Sequence, residues 1–271
     1  MREPDAFAPA FAKLPRMILH PHPRGCVAVL QSAHAFVAFQ IAEHWGNRLT
    51  PRPAPRPEVL AAVLLHDAGW DGRELPRLDP TGRPVAFDTV PSGEHEAIWA
   101  SAVERAASVG GYARYLVSYH VSSLAAMDGA GKHDEFLSVQ QGLRERLRAE
   151  LDADPRYHAA FAGGADEVNR AVVRLSDALA VHLARGAEAN AVFPGVPRRG
   201  GSAPLAVRKA GERTYRLRPW PLVGRRLVLT TEGRLVPAGT FPDDAAARAA
   251  WEHAPTVRLS WTLLAPGAQA D

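Results

Sequence analysis

The apolar positions of the chain fall into two regimes. Between about residues 31 and 190 they recur at helical spacing, and on either side they form short runs of strand length. Ser32 is placed to cap a helix from Ala33 to about Trp45, closed by Gly46-Asn47. Pro57 fits the first turn of a second helix, Glu58 to about Gly69. Its run Val59 to Leu65 is apolar all round, so this helix is predicted to be buried rather than amphipathic. Further helices are predicted over about 93–109, 112–127, 133–151 and 166–185, with breaks at Gly110-Gly111, Asp128 to Gly131 and Asp154-Pro155.

Met17 to His20 and Cys26 to Leu30, around the turn chemistry of Pro21 to Gly25, predict a hairpin. After Gly186 a Pro, Gly and Arg-rich stretch reads as a linker. Strand-like runs follow at 205–208, 214–217, 226–230, 235–236 and 257–264, with a turn at Glu232-Gly233 and a short helix near 244–253. The expected fold is mainly α, a helical bundle with a small C-terminal α+β unit that pairs with the N-terminal hairpin. Three parts follow: a lead-in and hairpin at 1–30, a helical domain at 31–190 and a small basic unit at 191–271.

Composition changes this picture little. The 271 residues suffice for a large core, and no apolar run approaches the roughly 20 residues of a membrane span. Cys26 is the only cysteine and the N-terminus lacks a leader-like apolar stretch, so the expectation is a cytoplasmic protein without a disulfide. Charge is unevenly spread. Residues 197–271 hold 12 Arg and Lys against 6 Asp and Glu, and residues 1–196 hold 20 against 23. The arginines are scattered and lack an interleaved stacking platform, which argues against a nucleic-acid interface and for a solvated basic surface.

The chemistry lies in ionisable residues set in apolar helical stretches: His34, His66, Asp67, His95, His120 and Asp177. A carboxylate at the end of a buried run, such as Asp67, is costly unless paired, hydrogen-bonded or bound to a metal. Helical bundles build metal sites from inward-facing residues on separate helices, and four imidazoles with two carboxylates suit a first-row transition metal. Taken singly each residue has a plainer reading. His34 and His120 fit satisfied core histidines, His95 a first-turn surface position, and Asp177 a helix cap. Gly129-Ala130-Gly131-Lys132 fails as a phosphate loop, because Ala126 stands at the earlier glycine position and His133 follows the lysine. His133 lies among polar residues and reads as ordinary.

The order His34, His66-Asp67-Ala68-Gly69, His95, His120, Asp177 resembles the HD-domain superfamily of metal-dependent hydrolases over roughly residues 31–190. The resemblance implies two divalent ions, iron or manganese. His34, His66, Asp67 and Asp177 would hold the first, with Asp67 as the bridging and catalytic carboxylate, and His95 and His120 would hold the second. It implies hydrolysis of a phosphoester or similar small anionic substrate by a metal-bound hydroxide; the alternative is a di-iron oxygenase cleaving a C–C or C–P bond. A non-enzymatic reading is a helical scaffold whose basic tail binds a partner. Trp70 departs from the resemblance, since many relatives carry a basic residue there. Arg73, Arg77 and Arg83 in the following loop are the candidates to replace that charge. The loop from Asp71 to Glu94 is itself a candidate lid or substrate wall. Tyr112, Tyr115 and Tyr119 surround His120 and fit either a pocket wall or core; Tyr119 is carried as a substrate contact.

Overall fold

The computed structural model describes residues 17–71, 78–84, 92–186 and 190–269. Strands β1 (Met17–His22) and β2 (Gly25–Leu30) form the expected hairpin, and the chain passes from β2 directly into α1 (Gln31–Glu43). Helices α2 (Arg56–Leu65), α3 (Ser92–Ala107), α4 (Gly111–Asp128), α5 (Asp134–Leu151), α6 (Pro155–Ala162) and α7 (Ala165–Ala184) follow. The C-terminal part contributes β3 (Ala191–Arg198), β4 (Gly201–Gly211), β5 (Thr214–Arg218), β6 (Arg226–Pro237), α8 (Asp244–Glu252) and β7 (Thr256–Leu264). No described helix is long and apolar enough to cross a membrane.

The seven described strands belong to one sheet, in the order β1-β2-β6-β7-β5-β4-β3. Among their pairings only β5–β7 is parallel. The expectation of a mainly α bundle with a small appendage is therefore overturned. The fold is α+β, with a curled seven-stranded sheet; 48% of the described residues are helical and 26% are strand. The helices and the sheet share one core, in which Val27, Val29, Leu229 and Trp261 of the sheet pack with Ile41, Val63, Leu116 and Leu179 of the helices. Sheet interiors alternate side chains, and β6 follows the rule with Leu227, Leu229, Thr231 and Leu235 buried.

Four local readings change with it. Glu232-Gly233 is not a turn but the middle of β6. An added Cβ on Gly233 would stand 2.6 Å from Val27 Cγ1 and 2.7 Å from Ala28 O, so the glycine lets β2 approach. The stretch read as a linker forms β3 and the start of β4. Asp154-Pro155 does end α5, but it also starts α6, with Asp154 accepting a hydrogen bond from Arg156 N and Pro155 in the first turn. Helix α1 begins two residues before the expected start, so Ser32 is not its cap.

Helix α1 is seated on β6 by polar as well as apolar contacts. The Gln40 side-chain amide donates to Thr230 O at 2.8 Å and accepts from Thr230 N at 3.0 Å, extending the sheet's ladder onto a helix. Thr231 Oγ1 donates to Ala33 O at 3.0 Å. On its other sides α1 packs against α2 and α7, and α4 runs between α2, α3, α5 and α7.

Candidate metal centre

Four elements converge on Asp177. His34 projects from α1 and is fully buried. His66 and Asp67 follow the last residue of α2, so Asp67 is not inside the helix as the apolar run implied. It sits in a half-turn with φ −110° and ψ 13°, ahead of a 3-10 turn over Ala68–Trp70. That turn rests on α3, and an added Cβ on Gly69 would stand 1.9 Å from Ile98 O, so only glycine allows the approach. Asp177 comes from α7 and His120 from α4.

The distances have the scale of an ion's coordination shell. His34 Nε2 lies 2.9 Å from Asp177 Oδ1 and His66 Nε2 lies 3.4 Å from the same oxygen. Asp67 Oδ2 is 3.5 Å from His34 Nδ1 and 3.6 Å from His66 Nε2. Two ligand atoms held about 2.1 Å from one ion at octahedral or tetrahedral angles stand about 3.0–3.4 Å apart. His34, His66 and Asp177 offer three ligand atoms that all lie within 4.8 Å of one another.

The tautomers are set from outside. His34 Nδ1 lies 3.1 Å from Gln31 O and His66 Nδ1 lies 2.6 Å from Val63 O. A ring that donates through Nδ1 to a carbonyl carries its lone pair on Nε2, as metal-bound histidines do. Both Nε2 atoms then face carboxylate oxygens, and the contact is repulsive unless a proton or a cation lies between them. His66 Nε2 has no hydrogen-bond partner among the described residues. Burial pushes the His66 imidazole pKa down, yet Asp67 and Asp177 outweigh it and hold it at about 9. For Asp177 burial also opposes the charge, and the adjoining His34 and His66 imidazoles hold its carboxyl well below the usual range. Burial raises Asp67, against the two imidazoles. The pocket thus stabilises positive charge at the point where the donor atoms meet, and the donor set fits a divalent transition metal.

The other two predicted ligands are placed differently. His120 Nε2 lies 3.6 Å from Asp177 Oδ2, the oxygen that His34 does not meet, and its ring is edge-on to that of His66 at 4.9 Å. Both its nitrogens are buried without a hydrogen-bond partner among the described residues, and burial pushes its pKa down to about 3. His120 is therefore a neutral base beside the carboxylate. His95 is held against aromatic rings, stacked on Trp99 at 5.1 Å and edge-on to Trp70 at 6.2 Å. No described group of three metal-capable residues includes His95 or His120.

The imidazoles are sealed, but the side chains of Asp67 and Asp177 keep 12% and 13% exposure. That exposure opens into a cleft of about 690 Å³, walled by Trp70, His95, Trp99 and Arg185. Arg185 went unnoticed in the sequence, although its signal was there. Asp177 and Val181 on α7 and Arg185, the residue that caps its end, are spaced by four and all line the cleft. Arg83 does not line it. It sits exposed on a turn in which Asp79 Oδ1 accepts from Thr81 N and Arg83 N, and which Phe241 N ties down through Gly82 O. Arg73, Arg77 and most of the candidate lid lie outside the described residues. Tyr112 and Tyr115 are core. Tyr119 lies between Arg144 and Arg170, with guanidinium carbons 4.5 and 4.4 Å from the ring centroid, and lines a separate cavity of about 310 Å³ behind His120.

His133 is the residue whose plain reading fails. It is buried, with Nδ1 2.6 Å from Glu96 Oε1 and Nε2 2.8 Å from Asp128 Oδ2, and so clasps α3 to the end of α4. The Glu96 hydrogen bond, then that of Asp128, raises its pKa against burial. A histidine with a raised folded pKa stabilises fully below its unfolded value, near 6.5, and loses that contribution as pH rises through the folded value. His133→Ala is expected to cost about 2 kcal/mol at pH 6. The gap to the unsubstituted protein, read by thermal melts across pH, is expected to narrow on the alkaline side; a gap independent of pH would show that the imidazolium is not involved.

A family model described as "Protein of unknown function (DUF3891)" matches residues 17–238. No curated protein and no solved structure matches the chain. The resemblance to the HD superfamily is overturned. The family match is to a different group, and the candidate ligands stand on helices that share their core with a seven-stranded sheet. The matched region runs from the first residue of β1 to just past the end of β6 and takes in every candidate ligand, and the chain belongs to the DUF3891 family.

Proposed function

We propose that this protein is a metal-dependent hydrolase acting on a small anionic substrate of the phosphoester type. The observation that carries the reading is the ion-sized gap between His34 Nε2, His66 Nε2 and Asp177 Oδ1, with both Nδ1 atoms committed to backbone carbonyls and an open cleft alongside. A divalent ion bound there supplies an acidified water and neutralises charge on a phosphoryl group.

The chain's own residues do the remainder. Asp67 borders the cleft, and its burial moves the carboxyl pKa upward, toward the range of a general base. Its Oδ2 orients the attacking water and accepts a proton from it. Trp70 and Trp99 wall the cleft with rings that exclude bulk water and pack on the organic part of the substrate. Arg185 sets a positive charge at the same cleft, which favours an anion. A second ion would depend on His120, beyond Asp177, and on His95 at the cleft wall.

Phosphate release by the iron- and manganese-loaded protein, on monoester and diester panels with and without oxygen, tests the reading. Equal turnover in both atmospheres is expected. Turnover that requires oxygen would replace hydrolysis by oxygenase chemistry, and a protein that retains no metal by elemental analysis would sink the proposal. Arg185→Ala is expected to raise KM about tenfold with kcat changed less, the signature of lost ground-state binding; an unchanged KM would remove Arg185 from the substrate site.

A further inference from the structure

A second concavity, larger than the metal cleft, lies elsewhere on the described residues. It is a groove of about 1030 Å³ between the α1–α2 connection and the C-terminal strands, sharing no residue with the cleft. Four arginines line it: Arg48 from the connection, Arg198 from β3, Arg218 from β5 and Arg225 from the β5–β6 connection. No carboxylate lines it. None of the four groove arginines has a carboxylate partner among the described residues. Guanidinium groups stay charged at every physiological pH, so their convergence in one concavity focuses a positive field.

The groove is also built rather than incidental. The connection is stitched to the opposite wall: Asn47 Nδ2 donates to Trp220 O at 2.8 Å, Gly46 N to Pro221 O at 2.8 Å and Val223 N to His44 O at 2.7 Å. Arg225 Nη2 is held on Pro266 O at 3.1 Å. Trp220, also in the lining, has its indole N–H committed to Gly224 O at 2.8 Å, so what it offers a ligand is its ring. Several guanidinium groups, that of Arg225 anchored, beside an oriented indole match a polyanionic head joined to a planar body.

We propose that this groove binds a small polyanion carrying a planar ring, of the nucleotide class, at a site separate from the metal cleft. The C-terminal excess of positive charge is thereby given a local purpose, since three of the four arginines lie beyond residue 196.

The test is calorimetric titration of the full chain with ADP, pyrophosphate and adenosine at constant ionic strength in EDTA, which removes metal-mediated binding. ADP is expected to saturate one site per chain and to bind more tightly than either fragment. Arg48→Ala combined with Arg225→Ala, both exposed positions, is expected to weaken ADP at least tenfold with an unchanged melting temperature. Trp220→Leu is expected to weaken ADP and leave pyrophosphate unaffected. Absence of saturable ADP binding, or binding that survives the arginine pair, would overturn the site. Pyrophosphate binding as tightly as ADP would overturn the planar-ring specificity. Loss of ADP binding in His34→Ala with the arginines intact would place the anion in the metal cleft instead.

Discussion

Asp177→Ala is expected to abolish metal retention at the proposed centre. The residue is the hub of the cluster, with one carboxylate oxygen facing His34 and His66 and the other facing His120. Loss of an outer partner of a metal ligand typically weakens binding about 10–100-fold, and loss of the hub should exceed the upper figure. Elemental analysis after dialysis reads this directly, and hydrolytic turnover should fall with it. Removing the carboxylate also strands two buried imidazoles, which lowers the stability of the metal-free protein, so the comparison needs Asp177→Asn. The amide keeps the shape and an acceptor oxygen but not the charge. If Asp177→Asn retains stoichiometric metal, the centre does not depend on this carboxylate and the assignment fails.

Gly69→Ala is expected to be the most damaging single-methyl change near the site. The added Cβ would meet Ile98 O at 1.9 Å, and both partners are backbone, so a side-chain rotation cannot relieve the clash. The 3-10 turn must lift from α3, at a cost of about 3 kcal/mol, the upper part of the range for overpacking. Asp67 is the residue before that turn, so its carboxylate moves with it. Denaturant unfolding should show the stability loss, and metal affinity should fall in the same variant. A variant with reduced stability but unaltered metal binding would show that the turn supports the fold without positioning Asp67.

The two halves of the structure were unequally legible. His34, His66, Asp67 and Asp177 were visible because an ionisable residue in an apolar helical stretch needs a partner, and the structure brings these four together. The order of those residues also imitated another superfamily, and that inference failed because order along helices does not report what the helices pack on. The sheet was hard to foresee for a related reason. The β2–β6 pairing joins Val27 to Leu235, and no local pattern carries a contact across such a separation. Gly233 was misread because its function is interstrand proximity, which in sequence looks like a turn. His133 was concealed by its neighbours Asp128, Lys132 and Asp134, since a polar neighbourhood resembles a solvated one until α3 brings Glu96 to it.

The seating of α1 on β6 has a consequence for the order of events during synthesis. Every proposed ligand has been translated once residue 177 is added. Yet the helix that carries His34 gains the Gln40–Thr230 and Ala33–Thr231 bonds only after the ribosome has passed residue 231. Contacts at such separation close late and set the pace of folding. The nascent chain therefore passes through a period in which every proposed ligand exists and the helix carrying His34 still lacks its seat on the sheet, so any metal the proposed centre takes would be held firmly only by the finished polypeptide.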